Sequence, residues 1–157
     1  MEQLNITTSI FISKYEELSD SERHLVDEAQ QASLRAYAPY SNFSVGAAIL
    51  LSNGEIITGS NQENVAYPSG TCAERTACYY AHSQYPDAKF QTIAIAALGT
   101  DGKEVTRPIS PCGSCRQALL EYEQLFSDNI KVILVGAEDI YILQSIKSLL
   151  PLAFSDF

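Results

Sequence analysis

The sequence predicts an α/β protein of three layers, a mixed five-stranded sheet with helices on both faces. Hydrophobic periodicity gives the order helix, two strands, helix, strand, helix, two strands, helix, which fits one sheet covered on each side. Asn53-Gly54 joins two strand-like runs as a tight hairpin turn. The link 136–139 is too short for a parallel crossover and permits only an antiparallel turn. With 157 residues, 46% apolar and 18% charged, the chain suits one domain with a sizeable core. No internal repeat, low-complexity tract or interdomain linker interrupts it.

Taken in order, residues 1–18 are an N-terminal extension in which Ile6, Ile10 and Ile12 alternate weakly, consistent with a short strand laid on the domain. The domain proper is expected to span 19–157. Ser19 and Glu22 form a capping box, and Leu25, Ala29, Ala32 and Ala36 recur at helical spacing until Pro39. Residues 43–51 and 55–60 are the hairpin strands, and 61–70 is a polar loop leading to a helix from Cys72 through about Gln84. Residues 90–98 form a strongly apolar strand and 99–110 a loop. A helix follows from Cys112 through about Phe126, then strands 130–135 and 140–143, and a short helix 145–150 stopped by Pro151.

The formal net charge of −9 disfavours a nucleic-acid strand as partner, since such strands are gripped by clustered Lys and Arg. The longest apolar runs, near 93–98 and 132–135, fall far short of the ~20 residues of a membrane span. The start, with Glu2 and no early Lys or Arg, lacks the basic region of a secretory signal, so the expected location is the cytoplasm. There the four cysteines are expected to be reduced, metal-binding or catalytic rather than disulfide-bonded.

Two stretches carry the chemistry: Thr71-Cys72-Ala73-Glu74-Arg75 and Pro111-Cys112-Gly113-Ser114-Cys115-Arg116. Cysteine thiolates are preferred zinc ligands, and a catalytic zinc keeps three protein ligands with a fourth position open to water. Cys72, Cys112 and Cys115 fill three positions. Glu74 stands beside a ligand without needing to be one. Both motifs lie at predicted helix starts, where unpaired N–H groups and the helix dipole favour anions. Zinc lowers the pKa of bound water toward ~7, and Glu74 would take that proton and pass it to the substrate. Three thiolates leave the metal formally at −1, so Arg75 and Arg116 are expected to donate hydrogen bonds to the sulfurs. A closed zinc knot would need a fourth ligand, but Cys78 lies about 120° around its helix from Cys72 and reads as a buried core thiol. A redox C-x-x-C would leave Cys72 and Glu74 without a role. His24 and His82 fit no ligand spacing and read as surface residues.

A Cys or His, any residue, Glu, then P-C-x-x-C is the signature of zinc nucleobase deaminases. The chain resembles the small homotetrameric cytidine deaminases with three cysteine ligands, from about Tyr37 to Phe154. The resemblance rests on TCAERTA and SPCGSCRQ, with APYSNFSVGAA at 38–48, GSNQENVAYPSG at 59–70 and LLPLAF at 149–154. It implies one Zn²⁺ per subunit and hydrolytic deamination of cytidine and 2′-deoxycytidine in pyrimidine salvage. It also implies that Asn61 and Glu63 bind the ribose and that Phe43 packs on the pyrimidine. By the same resemblance the Ala73 N–H binds the pyrimidine carbonyl, the Ser110 carbonyl takes the leaving amine, and Phe154 enters a neighbouring subunit's site. Ser60 stands where the family usually has cysteine, and Gln62 where it has an aliphatic residue. The alternatives are a deaminase of a nucleoside antibiotic such as blasticidin S and a non-catalytic zinc or nucleoside-binding module. Asn61 and Glu63 favour the natural nucleoside, and Glu74 favours turnover.

Overall fold

Ser19 opens the first long helix by a reciprocal cap: its hydroxyl accepts from the Glu22 N–H at 3.4 Å, while Glu22 Oε2 accepts from the Ser19 N–H at 2.9 Å. The computed structural model describes residues 1–155. Its elements are β1 (Phe11–Ser13), α1 (Asp20–Ser33), β2 (Ser44–Leu51), β3 (Ile56–Ser60), α2 (Ala73–Gln84), β4 (Phe90–Leu98), α3 (Gly113–Leu125), β5 (Lys131–Val135) and β6 (Ile140–Leu143). Short 3₁₀ turns lie at Tyr15–Glu17, Tyr67–Ser69 and Ile146–Leu149, the last standing where the sequence predicts a short helix.

The sheet has six strands in the order β1-β6-β5-β4-β2-β3, one more than the five expected. The extra strand is β1, which pairs antiparallel with β6 through Phe11–Ile142, Ile12–Tyr141 and Ser13–Ile140. The extension thus covers what would otherwise be an open sheet edge. β4 and β5 are parallel, with α3 as their crossover, and the remaining neighbours are antiparallel.

Alternation along the central strands sorts side chains onto two faces. Ala48, Ala94, Ala96, Ile133 and Val135 meet α1 through Leu25, Val26 and Ala29. Ala47, Ile49, Ile93, Ile95, Val132 and Leu134 meet α2 and α3 through Ala77, Cys78, Ala81, Leu119 and Leu120. Close approach of both layers depends on glycine. A Cβ on Gly46 would lie 2.0 Å from the Ala29 carbonyl oxygen of α1, and one on Gly59 would lie 2.6 Å from the Ala73 carbonyl oxygen of α2. Gly59 therefore lets the first turn of α2, with Cys72 before it, settle directly on the sheet.

Candidate metal centre and adjoining cleft

α2 and α3 start at the same side of the sheet, and cysteine occupies the N-cap of each. Cys72 has φ −75° and ψ 156°, Cys112 φ −65° and ψ 163°, and neither thiol caps its own helix. Cys115 follows one turn into α3. The three sulfurs lie within 4.8 Å of one another. Cys72 Sγ to Cys112 Sγ is 3.9 Å and Cys112 Sγ to Cys115 Sγ is 3.5 Å. Tetrahedral zinc with bonds of ~2.3 Å separates its sulfurs by ~3.8 Å, so the three cysteines fit the holding of one Zn²⁺ ion.

The electrostatics around the sulfurs divide them. A hydrogen bond from Cys115 pulls the Cys72 thiol down to about 5, against a penalty from burial and with help from Arg75. Cys115, as donor in that bond and buried, is pushed up. Arg75 Nη2 donates to Cys72 Sγ at 3.8 Å, as expected of a residue that withdraws charge from the ligands. Arg116 does not share that role. Its guanidinium instead donates to the Pro111 carbonyl (2.8 Å), the Leu149 carbonyl (2.9 Å) and the Ser110 hydroxyl (2.8 Å), because its position after Cys115 turns it toward the chain leading into α3.

Glu74, in the first turn of α2, is only 4% exposed. Burial pushes its carboxyl above the usual range and the neighbouring Cys72 charge adds to this, with the Glu74 N–H pulling the other way. Cys78 is buried, its thiol pushed up to about 12 by burial, which agrees with a core role. His24 is exposed, but His82 is half-buried against Tyr122 at 5.1 Å and Phe126 at 6.4 Å, because the end of α2 lies across α3.

Beside the sulfurs lies a cleft of about 510 Å³ lined by Tyr40, Ser41, Asn61, Glu63, Tyr67, Thr71, Cys72 and Arg75. Glu63 Oε2 accepts from the N–H groups of Tyr40 (2.9 Å) and Ser41 (3.2 Å). The Ser41 hydroxyl and these amides hold its carboxyl below the usual range. Asn61 Oδ1 accepts from Val45 N–H at 2.7 Å, and its Nδ2 donates to the Phe43 carbonyl at 2.9 Å. Asn61 thereby fixes the start of β2 and with it Phe43, which is half-buried. Gln62 and Thr71 exchange both backbone hydrogen bonds at 2.9 Å, which ties the Asn61–Glu63 loop to the residue before Cys72.

Ala73 is fully buried at the start of α2, and Ser110 precedes Pro111 at the approach to α3. Phe154 does not line its own chain's cleft. It is 70% exposed, and its carbonyl accepts from Gln117 Nε2 at 2.8 Å. Tyr40, Ser41 and Tyr67 were not singled out from the sequence, and Thr71 only as the residue that opens the Cys72 stretch. Tyr40 and, besides its hydroxyl, Ser41 reach Glu63 through backbone amides, which no side-chain pattern announces. No helix among the described residues is long and apolar enough to cross a membrane.

Residues 19–126 match the profile of the cytidine and deoxycytidylate deaminase zinc-binding region. The chain is 40% identical over 131 residues to a cytidine deaminase of Halalkalibacterium halodurans, covering 83% of this chain and 92% of that one. It is 39% identical over 130 residues to a probable cytidine deaminase of Dictyostelium discoideum, covering 83% and 81%. Among solved structures it is similar to cytidine deaminase from Burkholderia pseudomallei, with TM-score 0.72, 35% identity and coverage of 87% and 100%. It is also similar to that from Mycobacterium tuberculosis, with TM-score 0.64, 33% identity and coverage of 88% and 99%.

Proposed function

The chain belongs to the cytidine deaminase family, and from that premise we propose that it converts cytidine and 2′-deoxycytidine to uridine and 2′-deoxyuridine with release of ammonia. The observation that carries this reading is the convergence of the Cys72, Cys112 and Cys115 sulfurs beside the buried carboxyl of Glu74. When bound by those sulfurs, zinc supplies the Lewis acidity that ionises water near neutral pH.

The remaining work falls to the chain's own groups. Glu74 accepts one proton from the attacking water and delivers it to N3 of the pyrimidine. It then takes the proton of the hydroxyl newly formed on C4 and passes it to the departing amine, which leaves as ammonia while C4 becomes the uridine carbonyl. The burial of Glu74 supports this, because a carboxyl whose affinity for protons is raised above the ordinary takes the proton of the attacking water more readily. The Ala73 N–H binds the pyrimidine carbonyl, and the Ser110 carbonyl accepts from the amino group. Arg75 withdraws charge from Cys72.

The sugar is held by Asn61 and Glu63. Each retains capacity beyond its bonds to the protein: an amide offers two donors and two lone pairs, and a carboxylate about four acceptor sites. Asn61 uses one donor on the Phe43 carbonyl and one acceptor on the Val45 N–H, and Glu63 Oε2 takes both amides. Phe43 packs on the base. Phe154 reaches a neighbouring subunit's site in a homotetramer, a reading supported by its exposure and by the exposed tyrosines 37, 40, 67, 79 and 80. The catalytic unit spans 19–157 with 1–18 as an extension, and the enzyme acts in cytoplasmic pyrimidine salvage, where its thiols stay reduced.

Replacing Glu74 with Gln tests the assignment. Zinc content is expected to remain one per chain while turnover of cytidine falls by about 10²–10⁴-fold. Turnover near the wild-type rate would remove Glu74 from the mechanism. Blasticidin S turned over far faster than cytidine by the unaltered protein would overturn the choice of substrate.

A further inference from the structure

We infer that Arg116 is a positioning residue for the substrate's amino group, acting through the Ser110–Pro111 peptide, an assignment that rests on the deaminase reading above. The peptide needs such support. Pro111 has no N–H, so no backbone donor at that position can anchor the turn before Cys112. Arg116 grips it from the acceptor side instead: Nε donates to the Pro111 carbonyl at 2.8 Å and Nη2 to the Ser110 hydroxyl at 2.8 Å. These two acceptors flank the Ser110 carbonyl in the chain. Fixing both sets the direction in which that carbonyl points.

The third nitrogen, Nη1, donates to the Leu149 carbonyl at 2.9 Å, at the end of the Ile146–Leu149 turn. The other end of that turn is held from the same helix: Glu123 accepts from the Ile146 N–H at 2.8 Å and the Ser145 hydroxyl at 2.6 Å. α3 therefore braces the turn at both ends and, through Arg116, uses it as a fixed support for the Ser110–Pro111 peptide. All three acceptors of Arg116 named here are uncharged, so the guanidinium serves here as a planar template rather than as half of an ion pair. A lysine, with one nitrogen, cannot span three acceptors set apart in this way.

The test compares wild type with Arg116→Gln, Arg116→Lys and Ser110→Ala, measuring zinc content, melting temperature, cytidine kinetics and inhibition by uridine. Uridine lacks the 4-amino group, so loss of a carbonyl aimed at that group should spare uridine binding, whereas general damage to the cleft would not. Both Arg116 variants are expected to keep one zinc per chain and to lose kcat on the order of a hundredfold, the scale of an ångström-size misplacement. Their uridine inhibition constants should stay within about threefold of wild type, less than half a decade of affinity. Ser110→Ala, which removes one acceptor and leaves the Pro111 grip, should lose about two- to tenfold, on the scale of one neutral hydrogen bond. Arg116→Lys at full rate would overturn the inference, as would equal losses for cytidine and uridine. If the Arg116 variants fail to fold, Ser110→Ala at full rate would overturn it. A wild-type protein inert toward cytidine would instead overturn the deaminase reading itself.

Discussion

At the scale of single residues, Asn61 shows how one side chain can fix backbone and line a cleft at the same time. Asn61 pairs with the backbone on either side of Ser44, so it fixes Phe43 at the same time as it lines the cleft. Asn61→Ala leaves a Val45 N–H and a Phe43 carbonyl unpaired, and the expected cost is about 1–3 kcal/mol of stability for a half-buried pair. Because the proposed sugar and base contacts both depend on it, KM for cytidine should rise more than kcat falls, which steady-state kinetics with thermal unfolding will resolve. Unchanged KM would detach Asn61 from substrate. The three cysteines were legible because their thiols stand at fixed spacing, and with them the place of Glu74 beside Cys72. Arg116 was not, because its partners are the Pro111 and Leu149 carbonyls and the Ser110 hydroxyl, and two of those three acceptors belong to backbone that any sequence carries.

At the scale of elements, the strands with strong apolar runs were readable in place: 90–98 and 140–143 coincide with β4 and β6. β1 was only hinted at. Its three residues make no self-contained pattern, Phe11 and Ile12 remain more than half exposed, and the strand exists because β6, far along the chain, offers an edge. α1 was announced by its capping box, and that box has a further consequence. Burial tends to raise the Glu22 carboxyl, but hydrogen bonds from Lys131 and from Ser19 outweigh it and bring it from 4.5 to about 2. A group with depressed folded pKa stabilises the protein above its unfolded value and loses that contribution as pH falls. Stability from Glu22 should thus be complete above pH 4.5 and drain away toward pH 2. Denaturant unfolding of Glu22→Gln and wild type should give midpoints that differ at pH 7 and converge as the pH approaches 2. A constant difference across that range would contradict the assignment.

At the scale of the whole molecule, two helix N-termini brought side by side on one sheet create the metal centre, and the loop tied to Thr71 creates the cleft next to it. The proposed tetramer extends this by lending each site a Phe154 from another chain. Phe154→Ala should lower activity by roughly 5- to 150-fold, the range of a base-stacking contact of about 1–3 kcal/mol. Co-expressing Phe154→Ala chains with Glu74→Gln chains should restore activity above either alone, because mixed assemblies contain sites with an intact Glu74 and a neighbour's intact Phe154. Absence of restoration in verified mixed assemblies would place Phe154 in its own chain's site or outside any. The central claim, that three cysteines, zinc and Glu74 together deaminate cytidine, meets its most direct test in one assay. Purified protein carrying one zinc per chain is mixed with cytidine while ultraviolet absorbance and ammonia are followed together. A fall in absorbance matched mole for mole by ammonia is the expected result, and an unchanged spectrum with no ammonia, zinc being present, would contradict it.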